Sequence, residues 1–148
     1  MRLMLMRHGE AESVFSRDSE RALTSFGKEE VGRAAQRMCE QRLLAARTVA
    51  SPYRRAVETA SIVTDMLELP GALTSVLLTP ETEPSLAVQM LAEQAAECHS
   101  LLAVLHQPLI SRLVLHLSGD VQPMSTASVA VLEGETLDRE SCELICVL

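Results

Sequence analysis

The chain has 148 residues, 47% of them hydrophobic and 22% charged, which suits one globular domain with a core of its own. A net charge of −7 and an aromatic content of 2%, without Trp, argue against nucleic-acid binding, which needs a basic face or stacking platforms. Four cysteines without a CxxC pair, no secretory signal and no apolar run of about 18 residues predict a reduced cytoplasmic protein without a membrane span.

Short apolar runs alternate along the chain with stretches whose apolar residues recur at helical spacing, which is typical of an α/β fold. We expect one domain over residues 1–148, a three-layer sandwich with a mostly parallel central sheet and helices on both faces. The predicted elements in chain order are strand 3–6, helix 28–44, strand 47–50, helix 52–69, a short strand near 76–78, helix 85–98, strand 101–105, helix 109–117 and strands 128–132 and 144–148.

Residues that favour helix starts precede two of the predicted helices. Thr24 or Ser25 is expected to cap the first helix, because a hydroxyl oxygen can accept a hydrogen bond from a free N–H of the first turn. For the second helix we expect Ser51 as the cap and Pro52 at the first helical position, where its missing N–H costs nothing.

Three predicted strands end in residues that can hold an anion: the first in Arg7, His8 and Gly9, the second just before Arg55, and the third in His106. If these strands are parallel neighbours, their carboxyl ends open on one edge of the sheet. Guanidinium groups and helix N-termini both attract phosphate. The sequence therefore predicts a phosphate-sized electropositive pocket that contains two imidazoles.

Arginines and histidines in one pocket indicate phosphoryl transfer. The arginines hold the phosphoryl oxygens and stabilise the transition-state charge, and a neutral imidazole can attack phosphorus to give a phosphohistidine that water then cleaves. Arg54 and Arg55 oppose the dipole at the start of a helix unless an anion lies beside them. The sequence has no cluster of metal ligands at typical spacing, so we expect no metal and no cofactor.

These motifs resemble the histidine phosphatase superfamily, also called the phosphoglycerate mutase-like family. The resemblance runs from residue 2 to about 117 and rests on four elements in the family's order: Arg7-His8-Gly9, Leu23-Thr24-Ser25-Phe26-Gly27, residues 51–60 with the pattern Ser-x-x-x-Arg-Ala-x-x-Thr-Ala, and the strand-terminal His106.

The resemblance implies that His8 is the nucleophile and that Arg7, Arg55 and His106 bind the phosphoryl group. Gly9 and Thr24 are counted with the phosphate-binding residues, although helix capping is the favoured role for Thr24. Arg54 lies off the motif position and is expected to be a neighbour only.

Within the superfamily the chain looks most like the SixA-type phosphohistidine phosphatases, because it is small and carries Ser-Pro-aromatic-x-Arg-Ala and His-x-Pro-Leu elements. The resemblance implies a phosphorylated histidine-containing phosphotransfer protein as substrate and partner. The segment between Arg55 and His106 is short, which leaves little chain for a lid, and we expect a monomer. The alternatives are a small-molecule phosphomonoesterase or mutase of the same superfamily, and a non-catalytic phosphoprotein-binding module.

The proton donor is the least defined part of the predicted site. Larger family members place an acidic residue between the positions of Arg55 and His106, where this chain offers Glu81 and Glu83 in a proline-flanked loop. Glu10 is a further candidate. The lack of a clearly placed general acid fits a substrate with an N–P bond better than a phosphomonoester, because an imidazole is easier to expel than an alkoxide.

Overall fold

Strands and helices alternate over most of the chain in this computed structural model, which describes residues 1–13 and 17–148. The elements are β1 (Arg2–Arg7), α1 (Ser25–Glu40), β2 (Arg47–Ala50), α2 (Arg54–Met66), β3 (Leu73–Thr74), α3 (Pro84–Ala95), β4 (Ser100–Leu105), α4 (Leu109–Ser118), β5 (Val129–Gly134) and β6 (Cys142–Val147). Two short 3-10 turns cover Asp18–Glu20 and Val76–Leu78. No helix of the described residues is long and apolar enough to cross a membrane.

The strands form one sheet in the order β3-β2-β4-β1-β5-β6. β4 lies between β1 and β2 and runs parallel to both, with Arg7 opposite Leu105 and Ala50 opposite Val104. β5 and β6 extend the sheet as antiparallel strands on the other side of β1. The three strands that carry the predicted site residues are therefore neighbours, as expected, and their carboxyl ends are level.

Each face of the sheet is covered by two helices, which confirms the predicted three-layer arrangement. Alternate residues of β1 point to opposite faces, as the period of a strand requires. Leu3 and Leu5 belong to the core under α3 and α4, whereas Met4 and Met6 belong to the core under α1 and α2. All four side chains are fully buried, which explains why this strand is apolar throughout.

The start of α2 differs from the prediction. Ser51 does not cap the helix and Pro52 is not its first residue, because the Ser51 hydroxyl accepts a hydrogen bond from the Tyr53 N–H and forms a separate turn. Tyr53 keeps an extended backbone with ψ 137°, so the helix begins at Arg54. Arg55 is therefore the second residue of α2, beside the carboxyl ends of the parallel strands.

Two further boundaries differ for similar local reasons. Thr24 caps α1, as predicted, but its hydroxyl accepts from the Gly27 N–H and the helix therefore starts at Ser25 rather than at residue 28. The strand expected near residues 76–78 is a 3-10 turn, capped by the Ser75 hydroxyl, and the edge strand lies just before it.

Candidate active site

The carboxyl ends of β1 and β4 and the start of α2 bring together the four side chains that the sequence singles out. The ring centroids of His8 and His106 are 5.0 Å apart with a 54° tilt. Arg55 Nε lies 3.3 Å from His8 Nε2 and donates to it. His8, Arg55 and His106 are buried, with exposed fractions of 6, 4 and 1%. Arg7 is half-buried at the end of β1, one residue before His8.

The hydrogen bonds of His8 determine which ring nitrogen is free. Nδ1 lies 2.7 Å from the carbonyl oxygen of Gly9, which can only accept, so the proton of the neutral ring is on Nδ1. Nε2 then carries a lone pair and faces Arg55. The arrangement leaves Nε2 as the nitrogen that can attack an electrophile held by the guanidinium.

Gly9 lies so close to α1 that a side chain does not fit. A Cβ there would lie 2.7 Å from both the Gly27 carbonyl oxygen and Val31 Cγ2. Its N–H donates to the hydroxyl of the buried Thr59 at 3.1 Å, and that hydroxyl donates to the Arg55 carbonyl at 2.7 Å. The backbone beside His8 is thus packed against the first two turns of both α1 and α2.

Unpartnered polar atoms point to a ligand in this pocket. Within the described part of the chain, Nε of Arg7 and both ring nitrogens of His106 are buried and have no hydrogen-bond partner. Buried polar groups are nearly always hydrogen-bonded, and each such exception needs an explanation. Arg7 Nη1 donates to the Met124 carbonyl at 2.9 Å, which fixes its orientation. An oxyanion between these groups would accept from the Arg7 Nε–H and from the single N–H of the neutral His106 ring.

Asp18 holds the outer side of Arg55. Arg55 Nη1 donates to the Asp18 carbonyl at 2.6 Å, and Nη2 lies 3.1 Å from the Asp18 carboxylate. Hydrogen bonds from Arg21 and Arg55 keep the pKa of Asp18 below its ordinary value. Sequence reasoning missed this residue, since an aspartate in a polar loop gives no sign of the arginine that it contacts.

Tyr53 is a second residue whose position the sequence did not reveal. Its ring centroid lies 5.1 Å from that of His106, and Arg55 Cζ lies 5.1 Å from it. The ring is half-buried at the edge of the site. A separate cavity of about 580 Å³ lies between the start of α2 and the turn that carries Asp18; its lining includes Arg21, Pro52 and Arg54.

Burial keeps both histidines neutral near pH 7. Desolvation is the main cause that lowers the pKa of His8 to about 4 and that of His106 to about 3, with the positive charge of Arg55 acting in the same direction. Burial also lowers the pKa of Arg7 from its high ordinary value. A neutral His8 has the lone pair that nucleophilic attack requires.

The remaining sequence candidates lie in varied surroundings. The Thr24 hydroxyl accepts from the Gly27 N–H and donates to the Glu10 carboxylate at 3.0 Å, so capping occupies it. Glu83 forms an exposed ion pair of 3.3 Å with Arg112, and Glu81 is exposed. A phosphate contact by Thr24 and a proton-donor role for Glu10, Glu81 or Glu83 stay predictions.

Two other predictions concern Arg54 and metal binding. Arg54 points away from the pocket and pairs with Glu58 at 2.7 Å on the surface of α2, as expected of a neighbour. No group of three or more His, Cys, Asp or Glu side chains that could hold a metal ion occurs among residues 1–13 and 17–148.

Comparisons with known proteins show which family the chain is similar to. The family model of the histidine phosphatase superfamily (branch 1) matches residues 3–77. The phosphohistidine phosphatase SixA of Escherichia coli (strain K12) is 34% identical over 147 residues, which cover 94% of this chain and 87% of that protein.

Solved structures extend the similarity to the fold. The protein histidine phosphatase SixA complexed with tungstate superposes with a TM-score of 0.91 at 30% identity, over 100% of this chain and 96% of that one. A putative phosphohistidine phosphatase SixA from Agrobacterium tumefaciens has a TM-score of 0.86 at 19% identity, over 99% of this chain and 96% of that one, which bears on the fold alone.

Proposed function

Because this chain belongs to the histidine phosphatase superfamily (branch 1), we propose that it is a protein phosphohistidine phosphatase with His8 as its nucleophile. The observation that carries the proposal is the orientation of the His8 ring. Nδ1 is tied to the Gly9 carbonyl, and Nε2 faces the guanidinium of Arg55. A lone pair directed at an anion-binding group is what in-line attack on a phosphoryl group requires.

In the proposed first step, His8 Nε2 forms a bond to phosphorus while the P–N bond of the substrate breaks. The electron pair of that bond goes to the leaving imidazole nitrogen. Arg7, Arg55 and His106 hold the three equatorial oxygens, which are the atoms that carry the transition-state charge. In the second step water attacks phosphorus, His8 regains its lone pair, and inorganic phosphate leaves.

The leaving group explains why a phosphohistidine suits this site. A substrate imidazole that carries a proton on its other nitrogen departs as a neutral ring, so the enzyme need not supply that proton. The serine or sugar alkoxide of a phosphomonoester does need an acid. The carboxylate that contacts Arg55 is that of Asp18, whose pKa is lowered, and a deprotonated carboxylate is a poor acid.

The relatives support the same reaction class. The E. coli relative is a phosphohistidine phosphatase, and the similar solved structure holds tungstate, a tetrahedral oxyanion of the same shape as phosphate. Only a short connection with one 3-10 turn separates β3 from α3. We propose a phosphotransfer protein of the cytoplasm as the substrate.

The test is dephosphorylation of a phosphorylated histidine phosphotransfer domain by the wild type and by His8→Ala, with circular dichroism to check that the variant folds. We expect the wild type to release inorganic phosphate and His8→Ala to release none. Phosphate release by both proteins or by neither would contradict the proposal. So would faster cleavage of phosphoserine or sugar phosphates, which is the result expected of a small-molecule phosphomonoesterase. Binding of the domain without turnover would indicate a phosphoprotein-binding module.

A further inference from the structure

The peptide group between Gly9 and Glu10 connects His8 to a carboxylate that the proposed mechanism does not use. Its carbonyl oxygen accepts the His8 Nδ1 proton at 2.7 Å. Its N–H donates to Glu30 Oε1 at 2.5 Å. Both contacts belong to one conjugated amide, whose N–H and C=O share electron density. A negative acceptor on the N–H therefore makes the carbonyl oxygen a stronger acceptor, as cooperative hydrogen-bond chains do.

Two contacts fix Glu30 in this position. It lies in the second turn of α1 and is half-buried. Its second oxygen, Oε2, accepts from the Thr126 hydroxyl at 3.1 Å, so each carboxylate oxygen has its own donor. Thr126 precedes Ala127, whose N–H bonds to the carbonyls of Arg7 and His8. The carboxylate is thus held between α1 and the loop that lies against the end of β1.

We propose that Glu30 is a positioning residue that acts on His8 through the Gly9–Glu10 peptide and stabilises the phosphorylated ring. The inference rests on the proposed function, in which His8 is the nucleophile. In a Ser-His-Asp triad, the aspartate accepts a hydrogen bond from the Nδ1–H of the catalytic histidine. Here a peptide group lies between the carboxylate and the imidazole.

The charge balance of the pocket shows why such a group is needed. When Nε2 bonds to phosphorus, the ring keeps the Nδ1 proton and becomes cationic. The guanidinium groups of Arg7, Arg21 and Arg55 all disfavour positive charge on His8. The contact to the Gly9 carbonyl favours it. A carboxylate on the far side of that peptide strengthens the favourable contact.

The test compares Glu30→Gln with Glu29→Gln. Glutamine at position 30 can keep both contacts, since its amide oxygen accepts from the Glu10 N–H and its amide nitrogen can donate to Thr126. Only the charge is lost. Glu29 is exposed on the same turn of α1, so its substitution removes the same charge without touching the peptide.

Three measurements are made on each protein: the NMR chemical shift of the His8 Nδ1 proton at pH 7, the single-turnover rate of phosphoenzyme formation from phosphoramidate, and the affinity for inorganic phosphate. For Glu30→Gln we expect an upfield shift of the proton and a rate lowered about tenfold, by analogy with the loss that follows removal of the outer partner of a metal-ligating histidine. Phosphate affinity should stay equal or rise, because a negative charge near Arg7 is gone. Glu29→Gln should match the wild type.

An unchanged Nδ1 proton in Glu30→Gln would overturn the inference, even if the rate fell. So would an equal shift in Glu29→Gln, or a parallel loss of rate and phosphate affinity, which indicates general damage to the pocket. Failure of the proposed function can be told apart from failure of this inference. A wild type that never acquires phosphate on His8 would contradict the proposed function, whereas the NMR comparison would still test the effect of Glu30 on the His8 ring.

Discussion

At the scale of single residues, Arg55 carries most of the contacts that shape the site. Its Nε reaches His8, and its two terminal nitrogens both reach Asp18. All three positions of the guanidinium are engaged, so a phosphoryl group that binds beside His8 has to share donors with Asp18. The Asp18 side chain is 56% exposed, whereas that of Arg55 is 5% exposed.

The competition for Arg55 predicts the effect of Asp18→Asn on anion binding. The substitution keeps the backbone carbonyl that orients Nη1 but removes the negative charge beside Nη2. We expect inorganic phosphate to bind up to about fivefold more tightly, since an ion pair with one exposed partner contributes at most about 1 kcal/mol. Isothermal titration calorimetry measures this affinity. An unchanged or weaker affinity would show that Asp18 does not compete with phosphate.

The convergence of His8, Arg55 and His106 could be predicted from the sequence because each follows a recognisable strand. The partners Asp18 and Glu30 could not. Both are acidic residues among many, and their roles depend on contacts across distances of 37 and 20 residues along the chain. Such contacts arise from the packing of α1 and the 18–20 turn, which local sequence patterns do not specify.

At the scale of elements, the close packing of α1 on the backbone after β1 sets the position of the site. A Cβ on Gly27 would lie 2.1 Å from the carbonyl oxygen of Glu10, which is a backbone atom. The same Glu10 residue donates its N–H to Glu30, one turn further along α1. The helix can contact the chain beside His8 only because glycine occupies position 27.

Two glycines of α1 give a matched pair of substitutions. Gly27→Ala should lower the free energy of unfolding by about 1–3 kcal/mol, because the backbone must move to make room, and should also lower activity. Gly32→Ala should raise the free energy of unfolding by about 0.5–1 kcal/mol, since the new Cβ would meet only Met66 Sδ at 3.8 Å and alanine is the better helix former.

Urea denaturation followed by circular dichroism gives both values. If Gly27→Ala were as stable and active as the wild type, the contact between α1 and the Glu10 backbone would not be a constraint on the site.

Element types along the chain could be predicted more reliably than element starts. The four helices of the described chain were expected from apolar spacing, and β1 and β4 from their apolar runs. The start of α2 was not, because a Ser-Pro pair suits both a helix start and the separate turn that the Ser51 hydroxyl forms here. Which one forms depends on the tertiary contacts of Tyr53 and Arg55 with His106 and His8.

At the scale of the whole molecule, two buried neutral histidines couple stability to pH. The pKa of His8 is lowered to about 4 and that of His106 to about 3 in the folded state, against about 6.5 in the unfolded chain. Below pH 6.5 the unfolded chain binds protons that the folded protein does not, so stability falls as the pH drops towards the folded values.

From pH 7 to pH 5 the free energy of unfolding should fall by about 4 kcal/mol through these two groups. Urea denaturation at both pH values measures the change. The double variant His8→Gln, His106→Gln should lose most of this dependence. A matched double variant at His99, which is exposed, and His116, which is half-buried on α4, should keep it. Equal pH dependence in both double variants would contradict the assignment.

The most direct test of His8 as the nucleophile is rapid-quench trapping of the phosphoenzyme. A phosphotransfer domain carrying ³²P on its histidine is mixed with the enzyme, the reaction is stopped within milliseconds in base, and the labelled peptide is identified by mass spectrometry. We predict a base-stable, acid-labile phosphate on His8 that forms and decays at rates consistent with turnover. Phosphate on His106 or another residue, or turnover with no labelled His8 at any time, would contradict the account.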